Sequence, residues 1–263
     1  MSTWKLVTRS FGVLMEYPKL MIFPVISALC VAAMSVPLLI AVFDTAGAAG
    51  ERMPATTWVL GFLWYAGAAF IGTFFNCALA ACAQMYFDGQ EPEWGAGIHR
   101  ASQRVHVILL WALLTATIGQ FLRWVDSRAG WLGRVAIALV GISWNMATFL
   151  IVPVLIMEEG GVMDSLRRSA ALLRQTWGEQ LISGLAFGWI GLLATIPGLV
   201  LGALGMNGYP IFIGFAVLWF AGMFAAFTAA SEIFTVVLYR YATTGQAAGG
   251  FDGQMLGSAL RKR

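Results

Sequence analysis

Charged residues are missing from long stretches of this chain. None occurs between Ala55 and Phe87, between Val107 and Leu122, or between Val135 and Met157. From Leu181 to Tyr239 the single exception is Glu232. A helix needs about 20 predominantly apolar residues to cross the ~30 Å hydrocarbon core of a bilayer. The pattern predicts six such helices, over 20–43, 55–87, 106–125, 132–157, 180–204 and 211–240. At ~1.5 Å per residue, the second and the sixth outrun the core and must tilt or project beyond it.

Between the apolar stretches lie three short segments with helical periodicity. The first sets Trp4, Val7, Phe11 and Leu14 opposite Lys5, Arg9 and Glu16. The second sets Trp94, Ile98, Ala101 and Val105 opposite Arg100 and Arg104. The third sets Val162, Leu166, Ala170, Leu173 and Trp177 opposite Asp164, Arg167, Arg168, Arg174 and Gln175. A basic polar face with an aromatic anchor suits the membrane interface. Two readings follow: linkers that use charge only to set topology, or a basic collar that meets lipid phosphates or a partner.

The three segments also look like copies of one another. Arg9-Ser10-Phe11-Gly12-Val13-Leu14 reads like Arg168-Ser169-Ala170-Ala171-Leu172-Leu173, with Arg100-Ala101-Ser102-Gln103-Arg104-Val105 a weaker match. Gly72-Thr73-Phe74-Phe75-Asn76 matches Gly141-Ile142-Ser143-Trp144-Asn145. Met34-Ser35-Val36-Pro37 resembles Ala194-Thr195-Ile196-Pro197. Such self-similarity predicts an all-α polytopic membrane protein. Its six transmembrane helices would form three pseudo-repeats, each opened by a basic amphipathic interfacial helix. A single membrane domain would cover 1–245, and a basic tail 246–263, ending Leu260-Arg261-Lys262-Arg263.

Composition agrees. The chain of 263 residues is 59% hydrophobic and 11% charged, against about 25% charged in soluble domains. Mean hydropathy is +0.77. Net charge is +3, with basic residues beside the spans, which favours anionic headgroups over nucleic acid. Twelve Lys and Arg fall on the side of the amphipathic segments, and Arg52, Arg123, Arg128 and Arg134 on the other. The positive-inside bias therefore puts both termini in the cytoplasm, and the setting is a prokaryotic inner membrane. The run from Leu20 to Phe43 is too long for a signal h-region, so the first span is expected to stay in the mature protein. Cys30, Cys77 and Cys82 lie within apolar stretches and suggest neither a disulfide framework nor a zinc site.

Few residues carry candidate chemistry. Glu232 is the one acid inside a predicted span, and an ionisable group at that depth is a functional candidate by default. The alternative is an acid near enough to the interface to reach water or an arginine. Asn76 and Asn145 occupy equivalent positions, where an amide either ties helices together or lines a pathway. Gly184 with Gly188, and Gly198 with Gly202, have the spacing of close helix contacts. Pro24, Pro37, Pro153 and Pro197 are candidate kinks. His99 and His106 lack a nearby carboxylate and make a poor metal site. The chain has no phosphate-binding Gly-rich loop, no His-Glu-x-x-His and no Gly-x-Ser-x-Gly. Glu158 and Glu159, beside Gly160-Gly161, are read as part of a turn.

Phe23-Pro24, Phe74-Phe75-Asn76, Val152-Pro153-Val154 with Glu158-Glu159, and Arg168-Ser169 with Thr176-Trp177-Gly178-Glu179 resemble an uncharacterised prokaryotic family of six-span membrane proteins. The likeness is expected to run over nearly the whole chain. More loosely, the pattern is similar to the membrane domain fused to some glycerophosphodiester phosphodiesterases, whose catalytic domain has no counterpart here. Neither resemblance implies a reaction or a cofactor. The first functional reading is a non-enzymatic scaffold that binds membrane lipids, anionic ones above all, or a membrane-protein partner or second copy. Arg9, Arg100, Arg104, Arg167, Arg168 and Arg174 are its candidate contacts. The second is a transporter or channel using Glu232, Asn76 and Asn145.

Overall fold

The computed structural model describes the backbone of residues 2–48, 55–207 and 209–245, and their side chains except those of 2–7, 42–48, 55, 57 and 175–187. The tail from 246, Arg52, and the side chains of Trp4, Lys5, Val7 and Trp177 lie outside the described residues. Everything described is helix or connection. The order is α1 (Ser2–Glu16), a 3-10 turn (Pro18–Met21), α2 (Ile22–Ala48), α3 (Ala55–Phe87), α4 (Trp94–Gln103), α5 (Val105–Asp126), α6 (Trp131–Ala147), α7 (Ile151–Met157), α8 (Val162–Met206) and α9 (Ile211–Thr244). Six segments are long and apolar enough to cross a membrane. The charge-free stretch over 55–87 is one helix at its expected bounds, because nothing within it breaks the backbone ladder.

Two expectations are corrected. The stretch over 132–157 is two helices, α6 and α7, separated by residues 148–150. Pro153 accounts for the break. It has no N–H to donate to the carbonyl four residues back, and its ring crowds that carbonyl, so proline is accepted only in the first turn of a new helix. The connection tightens into three-residue turns, from Phe149 N–H to the Met146 carbonyl and from Ile151 N–H to that of Thr148. The third amphipathic segment and the fifth span are, conversely, a single helix of 45 residues. Only Gly178 interrupts helix-forming sequence there, and a lone glycine costs about 1 kcal/mol, too little to end a helix. The third basic segment is therefore the projecting end of a span.

The glycine spacing is corrected as well. Gly188 and Gly202 face open space, and Gly184 lies outside the described side chains. The close contacts with α9 come from Gly191, Gly198 and Gly205, seven residues apart. A Cβ at Gly198 would sit 2.7 Å from the Phe220 ring, and one at Gly205 would sit 2.5 Å from Ile213. The indole of Trp219 crosses the same seam and donates to the Ala194 carbonyl at 2.8 Å.

The centre of the bundle is α3, which touches α2, α4, α5, α7 and α9. Its Cys77-Ala78-Leu79-Ala80-Ala81-Cys82-Ala83 run is at most 1% exposed all round. Lipid is as apolar as leucine, so helices in a membrane gain little from hiding hydrophobic surface and much from close packing. Small residues allow that approach. Gly97 of α4 rests on this run so tightly that a Cβ there would lie 2.5 Å from the Cys82 sulfur and 2.7 Å from the Ala78 carbonyl oxygen. Ile151, Val154, Leu155, Ile233, Phe234 and Leu238 complete the core around it.

Candidate functional site

The core lies at the end of the bundle that carries α1, α4, α7 and the start of α8, and the basic residues there divide by what they touch. Arg104 joins α4 to α5. Its Nε donates to the Leu155 carbonyl at 3.1 Å, and its Nη2 donates to the carbonyls of Glu158 at 2.8 Å and Gly160 at 2.6 Å. The last carbonyls of a helix have no partner within it, and a cation there complements the helix dipole. Arg104 thus caps α7, a role its sequence position did not disclose.

Glu158 is the centre of a second set of contacts. Its Oε1 accepts from Arg168 Nε at 3.0 Å and from the Tyr239 hydroxyl at 3.0 Å. Beside them Ser169, fully buried, donates to the Ala147 carbonyl at 2.7 Å, one of those freed by the α6–α7 break. Arg104, Glu158, Arg168, Ser169 and Tyr239 therefore tie α5, α6, α7, α8 and α9 together at one level. A parallel group joins α1 to α3. The Tyr86 hydroxyl donates to Glu16 Oε2 at 2.7 Å, and Arg9 lies 3.8 Å from Glu16 Oε1. Arg240 pairs with Asp88 at 2.5 Å, where Gln84 also donates.

The remaining arginines are different. Arg100, Arg167 and Arg174 are exposed and make no ion pair or hydrogen bond among the described residues. Ser10, Ala101 and Ser169, which directly follow Arg9, Arg100 and Arg168, are all fully buried. Of the apolar face expected of α4, Ala101 is fully buried as predicted and, with Gly97, supplies the contact with the bundle, while Trp94 at 52% and Ile98 at 36% are exposed.

Glu232 is half-buried on α9, and its Oε2 is enclosed with no hydrogen-bond partner among the described residues. Gln84, Thr115 and Ser165 also hold an enclosed, unpartnered oxygen, but Glu232 is the ionisable one of the four. Arg240, on the same helix, is taken by Asp88 and does not pair with it. Asn76, next to Cys77, is half-buried, and Asn145 is exposed on α6, which packs on α5 and α8. Neither side-chain amide makes a hydrogen bond among the described residues.

Sequence reading missed Glu16, Tyr86, Tyr239 and the Arg240–Asp88 pair. The available signal was weak: a tyrosine or an acid at the polar end of each span, with partners up to 152 residues away.

A family model described as a family of unknown function (DUF6159) matches residues 55–250, from α3 through α9, and the chain belongs to that family. Phe23-Pro24, counted among the points of likeness, precedes the matched residues. No curated protein matches the chain.

Proposed function

We propose that the protein is a non-enzymatic membrane scaffold whose basic end binds anionic lipid headgroups. The partition of the arginines carries this reading. Arg104 is consumed by three carbonyls and Arg168 by Glu158, whereas Arg100, Arg167 and Arg174 stand exposed and unpaired among the described residues. A cation near an anionic membrane surface contributes about 1 kcal/mol, screened by salt. The outward Trp94 and Ile98 beside Arg100 supply the aromatic and apolar depth that an interfacial helix needs.

The reading includes a cytoplasmic location for this end and for both termini, in the inner membrane of a prokaryotic cell, from the excess of Lys and Arg there. It also includes three pseudo-repeats, for which the buried small residue after Arg9, Arg100 and Arg168 is the support. Cysteines placed at Ala48 and Thr244 in a Cys30→Ser background test the orientation. Position 48 should label from outside intact cells and position 244 only after permeabilisation. Changing Arg100, Arg167 and Arg174 together to Gln should lower the anionic-lipid content of the purified protein by several-fold, and unchanged content rejects the scaffold reading.

A second reading is favoured by the enclosed, unpartnered Oε2 of Glu232: a proton or cation passes this carboxyl, with Asn76 beside the path and Asn145 further along it. Reconstituted Glu232→Gln should then lose flux while keeping its abundance and melting temperature. Flux equal to the parent's removes the charge from the mechanism.

A further inference from the structure

At the opposite end of the bundle, a cavity of about 1130 Å³ opens between α2, α3 and α5. It is larger than the ~300–1,000 Å³ of an ordinary small-molecule pocket. Its walls are Trp58, Trp64, Tyr65 and Trp124, with Gln120 and the guanidinium groups of Arg123 and Arg128 among them. A second, apolar groove of about 260 Å³ adjoins it, lined by Met34, Leu60 and Leu63 and sharing Leu38 and Trp64 with the larger cavity. An aromatic chamber carrying two arginines thus shares a wall with an apolar groove.

The two arginines are prepared for an anion. Arg123 lies over the Tyr65 ring at 4.6 Å, and Arg128 over the Trp124 ring at 4.3 Å. Neither has a carboxylate in ion-pair range among the described residues, and the one hydrogen bond is a long one, 3.4 Å, from Arg128 Nη1 to the Trp124 carbonyl. A guanidinium stacked on a ring keeps its N–H groups directed sideways, in the plane that matches two oxygens of a phosphate. The ring also limits the side chain's freedom, so less entropy is lost on binding. Tyr65 is itself held by α5. A Cβ at Gly119 would come within 3.0 Å of its hydroxyl, so the platform under Arg123 depends on the absence of a side chain at 119.

We propose that this cavity binds an anionic phospholipid from the leaflet at this end, its phosphate on Arg123 and Arg128 and an acyl chain in the adjoining groove. The site differs from the basic end in position, in its concave shape and in its stacked arginines.

The test uses the full chain carrying Arg100→Gln, Arg167→Gln and Arg174→Gln, so that the other end does not contribute. The protein is purified in neutral detergent, offered equal phosphatidylglycerol and phosphatidylcholine, and examined by native mass spectrometry. About one phosphatidylglycerol per chain should be retained, at least tenfold over phosphatidylcholine. Adding Arg123→Gln and Arg128→Gln should bring the ratio to one with the melting temperature unchanged. Gly119→Leu, which leaves both arginines in place, should lower the preference several-fold by displacing Tyr65. Millimolar inorganic phosphate should not release the lipid. Equal retention of the two lipids, a preference that survives either change, or release by phosphate alone overturns the proposal. Anionic lipid lost in the triple background alone would implicate the basic end, and lost only with Arg123 and Arg128, this cavity.

Discussion

The two ends of the bundle are built from the same helices yet packed in opposite ways. On α3, Trp58 is 71% exposed while Leu79 is fully buried. On α9, Leu218 is 69% exposed and Leu238 fully buried. On α5, Ile108 and Trp111 are enclosed, but Phe121 and Trp124 face outward. Hydropathy does not say which half is buried: on α9 the exposed half, 211–227, is free of charge, and the buried half carries Glu232 and Arg240. What differs is the number of elements present at each level. At the basic end α1, α4, α7 and the start of α8 are added to the spans, and polar groups bind them together. At the other end no such elements are added: α8 and α9 stay in close contact there through Gly198 and Gly205, but the outer faces of the spans are left exposed. One half is thus assembled like a protein interior, and the other leaves aromatic and aliphatic side chains exposed, with a chamber between the helices.

The comparison can be broken by matched substitutions at its two ends. Arg104→Ala removes three hydrogen bonds from a cation and leaves the carbonyls of Leu155, Glu158 and Gly160 without it, which should cost about 3 kcal/mol. Arg134→Ala, at the open end, should stay within about 0.5 kcal/mol, like other surface changes. Thermal unfolding in detergent reads both, and equal shifts would contradict a packed end braced by Arg104. Gly97→Val forces a side chain against Cys82 and Ala78 and should destabilise by about 1–3 kcal/mol. Gly202→Val, with nothing near its Cβ, should be neutral or slightly stabilising, since it removes a helix-interior glycine. The smallest contrast is Tyr239→Phe, which deletes one hydrogen bond to Glu158 and should cost about 1 kcal/mol. Ser127→Ala, losing an exposed bond to the Trp124 carbonyl, should cost less than the tyrosine change in the same assay.

The sequence by itself determined the helical class, the six spans and most of their limits. These depend on the length of charge-free apolar sequence, which is a local property: the bounds of α3 and the start of α9 follow directly from it. It also singled out Glu232, and it put Arg104 and Arg168 among the residues that matter, though as lipid contacts. Pro153 signalled the break in the fourth span without showing that the chain would divide into two helices there. Which face of each helix is buried was decided by the tertiary structure. Gly97 and Ala101, rather than Trp94 and Ile98, hold α4 to the bundle, because close approach of backbones outweighs hydrophobicity where the solvent is lipid. Glu158 became a point of junction only because Arg168 and Tyr239, 10 and 81 residues away, reach its one oxygen. The chamber of Arg123 and Arg128 exists only because folding places residues of α2, α3 and α5 around one cavity at that end. Such arrangements depend on partners brought together by folding, and no periodicity along the chain encodes them.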